Sequence, residues 1–260
     1  MSIPVVVIGA LGRMGSTIVN LVRQDATFAL AGALVLESQL SEAAALGCPV
    51  ESDLATLLDQ LGSVTIIDFT CPETSLTVAG AAGKYKCRHV IGTTGFTEDQ
   101  KIALGKLAQE APLFWSPNMS VGVNVLLKVL PELTRLLGEQ YDVEMMEAHH
   151  NKKRDSPSGT AIRLAECLAG AKNWALSDTA CYHREGMIGE RPNKELGVQT
   201  LRGGDVVGDH TIFFFGPGER IEVKHQAHSR ENFGKGALRA AAWLQNKPAG
   251  KLFTMQDMLQ

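Results

Sequence analysis

Fifteen residues near the middle of the chain, Glu147-Ala-His-His-Asn-Lys-Lys-Arg-Asp-Ser-Pro-Ser-Gly-Thr-Ala161, bring together two imidazoles, three cations and the opening of a helix. Those types suit the binding of a small anion and the movement of protons beside it. Histidine and lysine are the side chains whose surroundings can tune them to give or take a proton near neutral pH. Ser158-Gly159-Thr160 precedes apolar residues at helical spacing, Ala161, Ile162, Ala165 and Leu168. The serine is placed to cap a helix, and the free N–H groups and positive dipole end of such a start attract a carboxylate or phosphate. Lys152, Lys153 and Arg154, just upstream, add full charges to that partial one. A solvated basic loop before an ordinary capped helix has the same composition, so the segment gains meaning only beside a second motif.

That second motif opens the chain. Val5-Val-Val-Ile8 is an apolar, β-branched run of buried-strand length, followed at once by Gly9-Ala10-Leu11-Gly12-Arg13-Met14-Gly15 and then by Ile18, Leu21 and Val22 at helical spacing. Strand, glycine turn and helix in this order form the phosphate-binding corner of a dinucleotide fold. Gly9 makes the sharp turn, Gly12 lets backbone approach a pyrophosphate, and Gly15 lets the helix pack close to the strand. The spacing is Gly-x-x-Gly-x-x-Gly, and Arg13 inside the turn can neutralise phosphate.

The pattern between and beyond these motifs shows what must position them. Strands are expected over residues 28–36, 64–69, Arg88–Ile91 and Leu113–Trp115. Between them come a helix from Asp53 carrying Leu54, Leu57, Leu58 and Leu61, and another beginning at Pro72, a proline suited to a first turn. Thr97-x-x-Gln100 resembles a capping box for a further helix. This alternation predicts an α/β fold with a Rossmann-like doubly wound parallel sheet, whose ligands collect at the carboxyl ends of the strands. Three loops fall there, at residues 9–15, 69–72 and 92–96.

Beyond Ser116 the character changes. A long helix is expected over Val121–Leu137, then a strand over 143–147 with the His-Lys motif at its end. Antiparallel strands follow over 198–202, 206–215 and 220–225, joined by Gly203-Gly204 and Gly216-Pro217-Gly218 turns. Such a smaller α+β domain with a mixed or antiparallel sheet would turn an apolar face, including Val206, Ile212 and Phe214, to the helix or to another subunit. An Ala-rich helix over 233–244, with Leu238, Ala242 and Trp243 on one side, is expected to return to the first domain. The expected division is residues 1–120, rejoined by 231–260, for the dinucleotide, and 121–230 for substrate binding and oligomerisation.

Composition excludes several function classes. A chain of 260 residues that is 45% hydrophobic and 20% charged can bury a real core in one large or two modest domains. A net charge of -3 gives no global attraction for nucleic acid or an anionic membrane, so anion binding must come from local clusters. The five cysteines are scattered without a Cys-x-x-Cys pair, against a disulfide framework or a thiolate metal site, and a reducing cytoplasm suits them. No charged-then-apolar leader precedes the first strand, and no apolar run approaches the ~20 residues needed to cross a bilayer.

Six segments together resemble the bacterial 4-hydroxy-tetrahydrodipicolinate reductases of lysine and diaminopimelate synthesis. They are Gly9 to Gly15, Asp68-Phe-Thr70, Gly92-Thr-Thr-Gly-Phe96, Asn118-Met-Ser-Val-Gly-Val-Asn124, Glu147-Ala-His-His150 with Lys153-x-Asp-x-Pro-Ser-Gly-Thr-Ala161, and Gly216-Pro-Gly-Glu219. The match runs in order through essentially the whole chain, and the Glu-x-His-His-x-x-Lys-x-Asp-x-Pro-Ser-Gly-Thr-Ala string is its most specific part. The resemblance implies an enzyme using NADH or NADPH to reduce a cyclic, imine-bearing dicarboxylate with loss of water, as a homotetramer built through the second domain's sheet. It implies His149 and Lys153 as proton-handling residues, and His150, Gly159 and Thr160 as substrate contacts. It implies cofactor contacts at Gly9, Ala10, Leu11, Gly12, Arg13 and Met14, at Gly92, Thr93 and Thr94 for the nicotinamide half, and at Ser116, Pro117, Asn118 and Met119. One position departs. The acidic residue that binds the adenosine ribose hydroxyls in many members falls on Val35, the basic residue often beside it falls on Leu36, and Glu37 comes two residues late.

Other readings compete. His149 and His150 could ligate a metal with Glu147 and His225 or His228, but neighbours on an extended strand point to opposite faces, and no metal is expected. His225, His228 and Arg230 either line the cleft or serve structure. A nucleotide-sensing protein without turnover is a second class, though no DNA-reading module or basic face supports it. A semialdehyde dehydrogenase of the same superfold would need a nucleophilic cysteine in a cleft loop, where Cys71 sits, yet that reading leaves the Lys153 motif idle.

Overall fold

The protein, described here by a computed structural model over residues 2–260, packs as two compact units. One comprises the chain up to Val121 together with Arg230–Gln260, the other Gly122–Ser229.

In the first unit strands and helices alternate. They are β1 (Ile3–Ile8), α1 (Arg13–Gln24), β2 (Phe28–Leu34), α2 (Leu40–Ala43), β3 (Val50–Glu51), α3 (Leu54–Leu61), β4 (Thr65–Asp68), α4 (Pro72–Lys84), β5 (Arg88–Ile91), α5 (Glu98–Leu107) and β6 (Leu113–Trp115). Val5, Val6 and Val7 are all fully buried, so β1 is covered on both faces, as a central parallel strand requires. Alternate residues feed different layers: Val5 and Val7 join α1 on one side, while Val6 and Ile8 join Leu57, Leu58 and Val78 on the other. Local signals fix the helix starts. Asp53 accepts from the Thr56 N–H at 2.8 Å, and Thr97 with Gln100 forms the expected reciprocal capping box.

The second unit comprises most of α6 (Val121–Leu137), then β7 (Asp142–His149), α7 (Gly159–Ala171), α8 (Leu176–Thr179), β8 (Ala180–Cys181), β9 (Leu196–Arg202), β10 (Gly208–Gly216) and β11 (Glu219–Ala227). Its sheet runs β11-β10-β7-β9-β8. β7 alternates strictly, burying Val143, Met145, Glu147 and His149 on one face. The apolar members of that row pack with Leu164 and Leu168 of α7 and with Ile212 and Phe214 of β10. The structure corrects one expectation here. β9 runs parallel to β7, and β10 lies on the other side of β7, so the Gly203-Gly204 segment does not close a hairpin between β9 and β10. Alternating apolar residues mark a strand but carry no direction, and β7 takes the place between them. β10 and β11 do pair antiparallel as expected.

The chain then returns to the first unit as α9 (Glu231–Leu244), β12 (Leu252–Phe253) and α10 (Met255–Met258). The first sheet thus has the parallel order β12-β6-β5-β4-β1-β2-β3, with the order reversing beside β1, where this architecture places ligands. α9 contributes Ala237, Leu238, Ala240, Ala241 and Leu244 to the core around β1 and Phe114.

Candidate active site

At the carboxyl end of β1 the chain makes the glycine turn. Gly9 has φ +66°, a conformation that side-chain-bearing residues rarely adopt, and its N–H donates to the Leu34 carbonyl at 2.8 Å. A Cβ on Gly15 would lie 2.1 Å from the Gly9 carbonyl oxygen, so only glycine lets α1 pack so close to the turn. Gly12 is the N-cap of α1 and supplies no side-chain cap, which leaves the first-turn N–H groups without a side-chain acceptor. A cleft of about 640 Å³ opens over this corner, walled by Gly9, Gly12, Arg13, Met14, Val35, Leu36, Gln39 and Ser52 on one side and Phe69, Thr70, Cys71 and Thr74 on the other. Glycine backbone, one arginine and an uncapped helix start form a cradle for a pyrophosphate. Of the expected nucleotide residues, Gly9, Gly12, Arg13 and Met14 line the cleft. The Ala10 side chain belongs to the core, and Leu11 packs partly buried against it.

Behind that cleft lies a buried polar hub. Asp68, at the end of β4, accepts from the Thr70 N–H (2.8 Å), the Thr70 hydroxyl (2.6 Å) and the Ser75 hydroxyl (2.5 Å), with His89 Nε2 at 3.6 Å. Thr93 Oγ1 lies 2.9 Å from Ser75 Oγ, and the Thr93 carbonyl accepts from Trp115 Nε1. Burial alone would raise the Asp68 carboxyl. Contact with His89 and the hydrogen bonds from Ser75 and Thr70 outweigh it and hold the group below the usual carboxylate range. One carboxylate therefore ties together the 69–71 turn, the start of α4 and Thr93. Gly92 and Thr93 are buried and Thr94 is exposed. Ser116 donates to the Asn118 carbonyl at 2.7 Å, Asn118 accepts from the Ser120 N–H, Pro117 is half-buried, and Met119 is buried.

The His-Lys segment lies in the second unit, and its hub is Glu147. This fully buried carboxylate takes the Arg202 guanidinium in a two-point contact (2.8 and 2.9 Å), the Ser158 N–H (2.9 Å) and His149 Nδ1 (2.6 Å). Burial alone would raise it; the hydrogen bonds from His149, Arg202 and Ser158 and the charge of His149 outweigh this and pull it down to about 2. Ser158 caps α7 as expected, its hydroxyl accepting from the Ala161 N–H at 3.1 Å and lying 3.3 Å from His210 Nε2. Gly159 is exposed and Thr160 half-buried at this helix start. Lys153, with a side chain 21% exposed, pairs with Asp155 at 2.9 Å, while Arg202 also donates to the Asp155 carbonyl at 2.7 Å. His150 leaves the buried row and is held through its N–H to the Val206 carbonyl.

His210, on β10, lies edge-on to His149 with ring centroids 5.4 Å apart and has His225 of β11 at 6.3 Å. Burial, with smaller repulsion from His149, drives His210 down to about 4. Burial also lowers His225. His228 and Arg230 are exposed. Among the described residues, no three His, Cys, Asp or Glu side chains are grouped to hold a metal ion.

Residues 3–119 match the family described as Dihydrodipicolinate reductase, N-terminus, and residues 122–259 match its C-terminus. The chain belongs to the dihydrodipicolinate reductase family. It is 61% identical over 258 residues to the 4-hydroxy-tetrahydrodipicolinate reductase of Nitratidesulfovibrio vulgaris, covering 99% of this chain and 100% of that one. To its namesake from Oleidesulfovibrio alaskensis it is 60% identical, with full coverage of both. A solved structure of a dipicolinate-bound dihydrodipicolinate reductase from Paenisporosarcina sp. TG-14 shares the fold across 100% of both chains, with a TM-score of 0.78 at 23% identity.

Sequence reasoning did not assign a role to Asp68, Ser75, Arg202 or His210. For Glu147 a signal was present: two residues before His149 on a strand, it had to share that histidine's face. Arg202 meets the site through the parallel register His149↔Arg202, and His210 through Glu147↔His210, pairings that local pattern does not encode.

Proposed function

We propose that this enzyme of the dihydrodipicolinate reductase family reduces 4-hydroxy-tetrahydrodipicolinate to tetrahydrodipicolinate with loss of water, using NADH or NADPH. The observation that carries the reading is the gathering of His149 and the capped start of α7 onto the single carboxylate of Glu147, with Lys153 in the adjoining loop. Proton handling and anion binding are thereby built from one point.

The first-turn N–H groups of α1 and Arg13 bind the coenzyme pyrophosphate, Gly92, Thr93 and Thr94 hold its nicotinamide half, and residues 116–119 add a further backbone stretch to the coenzyme site. Bound reduced nicotinamide supplies the hydride. Lys153 and the N–H groups at Gly159 and Thr160 hold the substrate carboxylates, with His150 beside them, because full charge and a helix start favour anions together. Reduction of the conjugated imine sends electron density to the ring nitrogen, and His149, with Lys153 close to the substrate, delivers or steers the proton required there. The substrate is a small cyclic dicarboxylate, consistent with the dipicolinate carried by the structural relative. Among the described residues no helix is long and apolar enough to cross a membrane, and all five cysteines are free, in keeping with a cytoplasmic enzyme. Assembly as a homotetramer through the second unit's sheet is supported by Phe213 and Phe215, stacked at 5.8 Å on the face opposite the core, with Phe215 exposed.

The test is direct. Purified protein is mixed with NADH or NADPH and enzymatically generated substrate, and loss of reduced-nicotinamide absorbance is followed. Turnover that vanishes in Lys153→Ala while coenzyme binding persists supports the reading; absence of turnover with both coenzymes refutes it.

A further inference from the structure

His149 has two ring nitrogens with different fates. Nδ1 lies 2.6 Å from the buried Glu147 carboxylate, which stays ionised throughout the neutral range and can only accept, so Nδ1 must carry hydrogen. Nε2 makes no hydrogen bond to the described residues. Gly208, the first residue of β10, lies beside this nitrogen. A Cβ built there would stand 3.0 Å from Nε2 and 3.4 Å from Cδ2, so the missing side chain keeps the approach to Nε2 open.

We infer that Glu147 is a positioning residue that fixes His149 in the Nδ1–H tautomer, leaving Nε2, in the gap kept open by Gly208, as the atom that exchanges a proton with the substrate. The same carboxylate holds the Ser158 N–H, so the proton-exchanging atom and the anion-binding helix start are set at a constant separation by one side chain. The groups facing His149 are Glu147 on its own strand, Arg202 from β9 and His210 from β10, with His225 and Asp209 behind His210. Arg202 balances the Glu147 charge through both carboxylate oxygens, and a neutral His210 adds no second positive charge. The step balances simply: with a proton taken up from solvent on Nε2 the ring is an imidazolium, it gives that proton to the substrate nitrogen as the hydride arrives at carbon, and it returns to the neutral Nδ1–H imidazole, so that one solvent proton is consumed per turnover. This rests on the reductase reading, but its first readout does not.

In ligand-free enzyme labelled with ¹⁵N-histidine, long-range ¹⁵N–¹H correlation spectra report which nitrogen of His149 is protonated, with His149→Asn used for assignment. Neutral His149 is expected wholly as the Nδ1–H form. Glu147→Gln offers one acceptor oxygen where five donors converge, two from Arg202 and one each from Ser158, Thr200 and His149, so its amide group turns an N–H toward either the Ser158 and Thr200 side or the His149 side. The expected result is a mixed or reversed tautomer, with kcat lowered ~10- to 100-fold, as for other residues that orient a working histidine, and coenzyme affinity unchanged. Gly208→Ala is the second variant, in case the first does not fold: Nδ1–H is kept, but kcat falls because Nε2 is crowded. An Nε2–H tautomer in the wild type, or full kcat in Gly208→Ala, overturns the inference. Wild-type enzyme that binds coenzyme yet turns over no substrate would instead defeat the reductase reading, leaving the tautomer result standing.

Discussion

Acid should weaken this protein in two separate steps, the first set by buried histidines of which His210 is the more strongly shifted. His210 is 3% exposed, and its proton affinity is lowered from 6.5 to about 4, burial being the main cause. In the folded protein the ring stays neutral down to pH ~4, whereas in the unfolded chain it charges near pH 6.5. Below pH 6.5 the unfolded state therefore binds the extra proton, and stability falls with falling pH until about pH 4, where both states are charged. A difference of roughly 2.5 pH units at 1.36 kcal/mol each gives about 3 kcal/mol. Glu147 acts in a lower window. Its carboxyl is held at about 2 against an ordinary 4.5, so its contribution, present above pH 4.5, is lost between there and pH 2. His210→Gln removes the His210 share of the upper step and leaves that of His225 and the lower step in place, because glutamine does not titrate. Urea unfolding followed by far-UV circular dichroism at half-unit intervals from pH 7.5 to 3.5 should show wild type losing stability below pH 6.5 by about 3 kcal/mol more than the variant does, with the two curves parallel below pH 4. Equal slopes between pH 6.5 and 4.5 would refute the assignment, since every other titrating group is common to both proteins.

Gly15→Ala places a Cβ 2.1 Å from the Gly9 carbonyl oxygen, which forces α1 away from the turn. It should lower stability by about 1–3 kcal/mol or more and abolish dinucleotide binding measured by calorimetry; unchanged affinity would remove the pyrophosphate from this corner. Lys153→Ala should cost ~100- to 10,000-fold in kcat/KM. Its loss of the partly exposed Lys153–Asp155 pair should cost no more than about 1 kcal/mol, so a large fall in Tm would make the lysine structural. Around Val35, Leu36, Gln39 and Ser52, where the proposed coenzyme would place its adenosine ribose, the cleft lining carries no carboxylate, and among the described residues Arg13 is its one charged member. Leu36→Asp should thus tighten NADH relative to NADPH by about tenfold, or roughly 1.4 kcal/mol, in direct Kd measurements; an unchanged ratio would move the ribose elsewhere.

What the sequence discloses is uneven for physical reasons. The glycine corner, the amphipathic run of α6 and the Thr97–Gln100 box were legible because each is a local device whose residues lie within one or two turns of each other. The two-residue strands β3 and β12 are too short to show a period. The pattern of β9 marks it as a strand and not its place beside β7, since alternation reports which faces are buried and not which partner supplies the hydrogen bonds. The histidine and lysine of the site could be named, but the carboxylate beneath them draws Arg202 from 55 residues away, and only the sheet register brings that pair together. Asp68 was visible merely as part of a motif, and its grip on Ser75 and, through it, Thr93 depends on the packing of α4 against β5.

The first unit is split in sequence, with α9, β12 and α10 supplying Ala237, Leu238, Leu244, Met255 and Met258 to the core that surrounds Val5, Val7 and Phe114. During synthesis on the ribosome, β1 through β6 emerge more than a hundred residues ahead of the segment that seals their apolar side. The inserted unit can complete its own fold first, while the nascent first unit waits with Phe114, Val5 and Val7 uncovered on that side, a state open to chaperone capture or aggregation until residues 231–258 clear the exit tunnel.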